Sequence, residues 1–352
     1  MVVAALLVGL AFIVASGVSA GDAVGAFVQG VVGSDLNIAA TVRKMVPLTL
    51  VALGWIVAFR ASRFHVGFPG QILLGGLFIS VVALKVPLPG VLHLPLTMLA
   101  GMAGGALFAG IAAWLWARRG VNEILSTLLL NLVAAQILAW WVRQPFHDPS
   151  TPLPLTRPLP ESSRWPVIIP DTQLHWDIVL IPLAVAAVYF LLNQTTLGLR
   201  LRLVGANEKM ARFAGISPSV VGALAIVVSG ALAGLAAGSL VLAGTTAAMG
   251  EDMGAGYGFT GIAVALVARN STVGVVPSAL LFAALDQGGG GLAATIGINA
   301  SLVTFIQGLM ICLVLAATSG LEIYRRRRAA RGGPASRARA AEAPSPQPVA
   351  PA

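Results

Sequence analysis

Charge is scarce in this sequence. Only 10% of its 352 residues are Asp, Glu, Lys or Arg, against 57% apolar. A water-soluble domain carries about 25% charged residues. The chain cannot clothe a globule in polar surface, which excludes a soluble enzyme or a nucleic-acid binder. Its net charge of +9 does not reopen the second class, because residues 325–352 hold seven Arg against one Glu. Cysteine is nearly absent as well. Cys312 stands alone inside an apolar run, which excludes an intrachain disulfide and a thiolate metal cluster. Catalytic signatures are missing: there is no HExxH, GxSxG or CxxC, and His93, His147 and His175 lack the spacing of metal ligands. A Walker phosphate loop needs Lys followed by Ser or Thr. The only lysines, Lys44, Lys85 and Lys209, precede Met45, Val86 and Met210, so the chain is not expected to be its own ATPase.

Long uncharged runs are what the sequence does have. They cover residues 1–21, 45–59, 64–84, 86–117, 124–142, 178–199, 213–250, 253–268, 270–285 and 287–321. A helix needs about 20 mostly apolar residues to cross the hydrocarbon layer. Backbone in lipid must satisfy its own hydrogen bonds, and the runs lack the period-2 alternation of a barrel strand. The expectation is an all-α polytopic membrane protein with about ten transmembrane helices, two of them short. With both termini in the cytoplasm, 16 of the 22 basic residues fall inside and nine of the 13 acids outside. The inner set includes Arg60, Arg63, Arg118, Arg119 and Arg269; the outer set includes Arg43, Lys44, Lys85 and Arg143. This places the chain in the plasma or inner membrane with its C-terminus cytoplasmic.

The first run lacks the basic start of a signal peptide, although Val18, Ser19 and Ala20 loosely resemble a cleavage site, and it reads as an uncleaved helix. Residues 143–177 are too rich in proline for helix and form an external loop. Residues 194–217 form an internal one. The transmembrane body spans 1–324; residues 325–352 are a basic, low-complexity tail, expected to be disordered against anionic headgroups of the membrane lipid.

Gly67, Phe68, Pro69 and Gly70 open one run, and Gly258, Phe259, Thr260 and Gly261 open another that runs the opposite way. Such an echo suggests an inverted internal repeat with broken helices near a substrate path. Gly101, Gly104 and Gly105, with Gly230, Gly234 and Gly238, suit close helix packing. Residues 288–291, all glycine, read as an external turn beside a solvated Asp286. Glu123, Ser126, Thr127 and Asn131 share one helical arc. That arc either lines a path or hydrogen-bonds to neighbouring helices. Asn299 and Gln307 pose the same choice on the last run. His65 and Gln71 flank the first glycine break. Deep acids or bases are lacking, which counts against a proton-coupled secondary transporter; a sodium site of backbone carbonyls escapes that argument.

Residues 195–217 read TTLGLRLRLVGANEKMARFAGIS. Asn207 can cap a short amphipathic helix along the inner surface. The segment resembles the coupling loop of permease subunits of ATP-binding-cassette importers, in the branched-chain amino acid, simple-sugar and nucleoside subfamily. Residues 64–71 (FHVGFPGQ), 120–131 (GVNEILSTLLLN) and 256–270 (GYGFTGIAVALVARN) resemble the same subfamily, in order, and look most like its nucleoside branch. His65 and Pro69 stand where that family usually shows Asn and Glu. The resemblance implies a non-catalytic subunit that binds no cofactor, with ATP and Mg in a partner ATPase. It also implies a second permease, alike or homologous, and an external solute-binding lipoprotein. Docking of the ATPase would fall to Gly198, Arg200, Arg202, Gly205, Asn207, Glu208, Arg212 and Gly215. The path for a nucleoside, simple sugar or branched-chain amino acid would take Phe64, His65, Gln71, Thr127, Asn131, Phe259, Asn299 and Gln307.

Overall fold

In the computed structural model the described residues are 2–297, apart from 16, 88, 173, 245, 246 and 255, together with Phe305 and Gly308. The described part of the unit made by residues 1–20 and 304–352 is chiefly α1 (Val2–Ala15), whose Phe12 meets Phe305 edge-on at 5.3 Å. Residues 21–303 form the other unit. It runs α2 (Ala20–Val32), α3 (Asp35–Arg60), α4 (Phe68–Lys85), α5 (Gly90–Arg119) and α6 (Glu123–Arg143). After the proline-rich loop come α7 (Leu180–Gln194), α8 (Thr196–Ala206), α9 (Glu208–Phe213), α10 (Pro218–Leu242), α11 (Tyr257–Val267) and α12 (Val275–Ile296). No strand occurs among the described residues, and seven of the helical segments are long and apolar enough to cross a membrane.

Helix ends follow local chemistry. Ser34 accepts from Asn37 N to start α3, and Asn122 accepts from Ile124 N and Leu125 N to start α6. Gly120, at φ +67°, closes α5 in the left-handed conformation that glycine adopts without strain. α3 lies at the centre of its unit, with Leu50, Leu53 and Ile56 fully enclosed. α4, α5 and α10 interlock through glycine: a Cβ on Gly75 would lie 2.7 Å from Gly234 Cα, one on Gly105 would lie 2.8 Å from Gly234 N, and one on Gly234 would overlap the Gly101 carbonyl oxygen.

Several boundaries differ from the sequence expectation. The charged stretch before Met45 holds α2 and the first turns of α3: Asp35 opens α3, and Arg43 and Lys44 lie in its third turn, where Lys44 finds an ion-pair partner in Asp286. Residues 288–291 are not a turn. They continue α12, and their missing side chains let it approach α2: a Cβ on Gly30 would lie 2.8 Å from Gly291 Cα. Asp286 is half-exposed but pairs with Lys44 at 2.6 Å. The run 253–268 yields an 11-residue helix after a turn, rising about 16 Å, or half the hydrocarbon layer. The last run and the tail lie mostly outside the described residues, as does Cys312.

The two charge sets of the sequence separate in space. Arg63, Glu123, Glu208 and Trp116 meet at one end of the spans. Lys44 with Asp286, Arg143 with Glu251, and His93 with Ser162 meet at the other.

Candidate functional site

The two glycine echoes touch. A Cβ on Gly258 would lie 2.6 Å from both Pro69 N and Pro69 Cδ. Further along, a Cβ on Gly254 would lie 2.7 Å from Ile72 Cγ2, and one on Gly76 would lie 2.9 Å from Met253 Sδ. The turn before α11 therefore runs antiparallel along α4, and the two helices begin side by side and head in opposite directions. Each start leaves backbone N–H groups without helical partners. Two such starts at one depth are the arrangement that discontinuous transporter helices use around a solute.

α6 holds this break. Asn131 Oδ1 accepts from Gly70 N at 2.9 Å, and its Nδ2 donates to Val66 O at 2.8 Å. Thr127 Oγ1 accepts from Val66 N at 3.1 Å and donates to Glu123 O at 2.7 Å. The polar arc of α6 thus supplies the hydrogen bonds that residues 66–70 lack, which is the interhelical alternative of the two posed by the sequence. Ser126 bonds back to Glu123 O in its own helix.

His65 is fully enclosed. Ser229 Oγ donates to Ile226 O, so its oxygen is left to accept from His65 Nε2 at 2.7 Å. That fixes the proton on Nε2, and Nδ1 remains a buried lone pair without a partner among the described residues. The imidazole lies 4.7 Å from the Phe68 ring. Gln71 is buried too, and its Oε1 is likewise unpartnered. Phe64 points the other way: it is 42% exposed at the edge of a cluster with Trp55 and Phe59. Phe259, one residue beyond the Gly258–Pro69 contact, is 51% exposed. Four of the path candidates, His65, Gln71, Thr127 and Asn131, therefore gather around one break. Asn299 and Gln307 lie outside the described residues.

The coupling candidates form α8, α9 and their flanks. Gly198 packs under the last carbonyls of α7, and Thr195 Oγ1 accepts from its N–H at 3.1 Å. Asn207 accepts from Lys209 N and Met210 N and so caps α9. Gly215 takes φ +75°. Arg200, Arg202 and Arg212 are exposed. Two members turn inward. Gly205 lies against the Arg60 carbonyl and its own carbonyl accepts from Ser62 Oγ at 2.9 Å. Glu208 pairs with Arg63. Arg63 is only 9% exposed; it also lies 3.7 Å from Glu123 and 4.3 Å from the Trp116 ring. One guanidinium thus ties α9 to α5, α6 and the turn leading to His65. The sequence reading missed Arg63, Ser62, Trp116 and Ser229. Their partners lie up to 164 residues away, and no local spacing signals them.

The chain is 35% identical to the glucose ABC transporter permease protein TsgB13 of Haloferax volcanii over 340 residues, 93% of this chain and 87% of that one. It is 30% identical to the guanosine ABC transporter permease protein NupP of Bacillus subtilis over 90% of this chain and 91% of that one. It is also 30% identical to the nucleoside ABC transporter permease protein NupB of Lactococcus lactis over 80% of each. The family model described as branched-chain amino acid transport system / permease component matches residues 37–315. That span contains the broken helices, the α6 clamp and the α8–α9 segment, and the chain belongs to this permease family, as a multi-pass membrane protein.

Proposed function

We propose that this chain is the non-catalytic translocation subunit of an importer for a nucleoside, energised by a separate cytoplasmic ATPase that docks on α8 and α9. The observation that carries the reading is the fastening of α9 to the broken start of α4 through Glu208 and Arg63, backed by Ser62 on Gly205. A push on α9 reaches residues 61–67, and from there the polar cluster of His65 and Gln71. ATP and Mg belong to the partner, and the chain itself binds no cofactor. A second permease, identical or homologous, completes the path, an external lipoprotein delivers the solute, and the C-terminus faces the cytoplasm.

The nucleoside assignment draws on the names of the two bacterial relatives and on the open faces of Phe64 and Phe259. An aromatic platform under a base contributes about 1–3 kcal/mol. The archaeal glucose permease, at 35% identity, favours a sugar as second reading. Uptake of labelled adenosine, glucose and leucine by cells with and without the gene separates the readings. Selective loss of adenosine uptake is expected. Selective loss of glucose uptake moves the assignment to a sugar, and loss of leucine uptake alone rejects both.

A further inference from the structure

Where α3, α8 and the turn after α11 converge, a cleft of about 380 Å³ is lined by Arg60, Ser62, Arg202, Gly205, Arg269 and Asn270, with Phe59 at its side. Two helices and a turn, far apart in sequence, each bring one arginine to it. No carboxylate lines it, and none of the three arginines forms an ion pair among the described residues. The nearby acid on α9, Glu208, is already engaged by Arg63. Among the described residues Arg60 Nε is shielded from solvent and has no partner, and neither has Asn270 Oδ1. Arg269 and Asn270 both hold left-handed backbone, at φ +55° and +54°, a conformation that non-glycine residues rarely keep without a compensating contact. Three guanidinium groups around one concavity repel each other unless an anion sits between them.

We propose that this cleft is a binding site for a phosphate group, supplied by an anionic phospholipid of the leaflet that borders the basic end of the spans. Guanidinium matches phosphate oxygens in a planar, bidentate fashion, which makes arginine rather than lysine the fitting residue. The depth agrees, since Arg60 ends α3 and Arg269 follows α11, at the level where headgroups lie. A bound phosphate would brace α8, part of the coupling segment, against α3 and α11. The site is separate from the solute path but shares Arg202 and Gly205 of α8 with the segment proposed to dock the ATPase, so the test uses the chain without the ATPase.

The test uses the purified full-length chain in a non-ionic detergent, with unfolding followed by tryptophan fluorescence. Short-chain phosphatidylglycerol near a hundred times its Kd is expected to raise Tm by roughly 3 °C or more. Phosphatidylcholine of the same chain length should not. The R202Q/R269Q double variant should lose the shift, while R118Q/K209Q, which removes the same charge from exposed positions outside the cleft, should keep it. An equal shift with inorganic phosphate identifies the source as a free anion at the same cleft. An equal shift with phosphatidylcholine, or a shift that survives in R202Q/R269Q, overturns the site. Should the double variant fail to fold, the single variants R202Q and R269Q must each raise the lipid concentration giving half the shift; unchanged values overturn the site equally.

Discussion

Asn131 shows how a polar side chain inside a membrane span can be structural and still bear on a path. Its amide closes two backbone groups at the start of α4, Gly70 N and Val66 O. Truncation leaves both unpaired in a setting where water does not replace them, at about 1–3 kcal/mol each. Asn131→Ala should therefore lower the Tm of the detergent-purified chain by several degrees. A role confined to solute contact would reduce uptake and leave Tm unchanged. The choice between these roles was visible in the sequence, since the spacing of Glu123, Thr127 and Asn131 sets them on one arc, but its resolution was not. Which groups an arc faces depends on the helix packed against it, and the donor Gly70 N and the acceptor Val66 O sit 61 and 65 residues away. His65 carries the same lesson. Its place beside the glycine break could be read directly, whereas its partner Ser229 lies in a span whose glycines drew attention for packing alone.

The glycines that pattern the spans can be tested at the scale of the element. Gly234 sits at the crossing of α4, α5 and α10, and a Cβ there would overlap the Gly101 carbonyl oxygen. Relief would require separating the two backbones, because the obstacle is not a side-chain tip. Gly234→Ala is expected to destabilise by about 1–3 kcal/mol or more, as overpacking does, read as a lower Tm or loss of the folded fraction on size exclusion. Gly290→Ala, in open space on α12, is the matched control and should change neither. The same physics explains where the sequence reading of elements succeeded and failed. Runs bounded by charges gave α4, α5 and α6 with little error, since apolar length is what a span requires. Four glycines in a row at 288–291 suggested a turn because glycine weakens isolated helix by about 1 kcal/mol per residue. Close approach to α2 reverses that preference. α11 is shorter than the 16-residue run that suggested it, because a broken helix leaves no gap in hydropathy.

For the whole molecule the question is how a push on one face reaches a break inside. α9 presents two kinds of residue. Phe213, 87% exposed, and Met210 project outward, while Glu208 at the other edge of the helix reaches Arg63. If the ATPase docks here, the outward residues make the joint and the inward residue transmits. Two substitutions on one six-residue helix should then fail differently. Phe213→Arg should abolish co-purification of the ATPase while the membrane level of the permease stays normal. Glu208→Gln should leave the complex intact and its ATP hydrolysis running, but lower solute moved per ATP by about 2- to 30-fold, the range over which residues along a coupling chain act. Arg63→Gln should reproduce the Glu208→Gln phenotype. The double variant should lose little more than either single, because both remove one link. If Glu208→Gln instead releases the ATPase, Glu208 belongs to the docking surface, as the family resemblance placed it, and Arg63 serves only to anchor α9 in the fold.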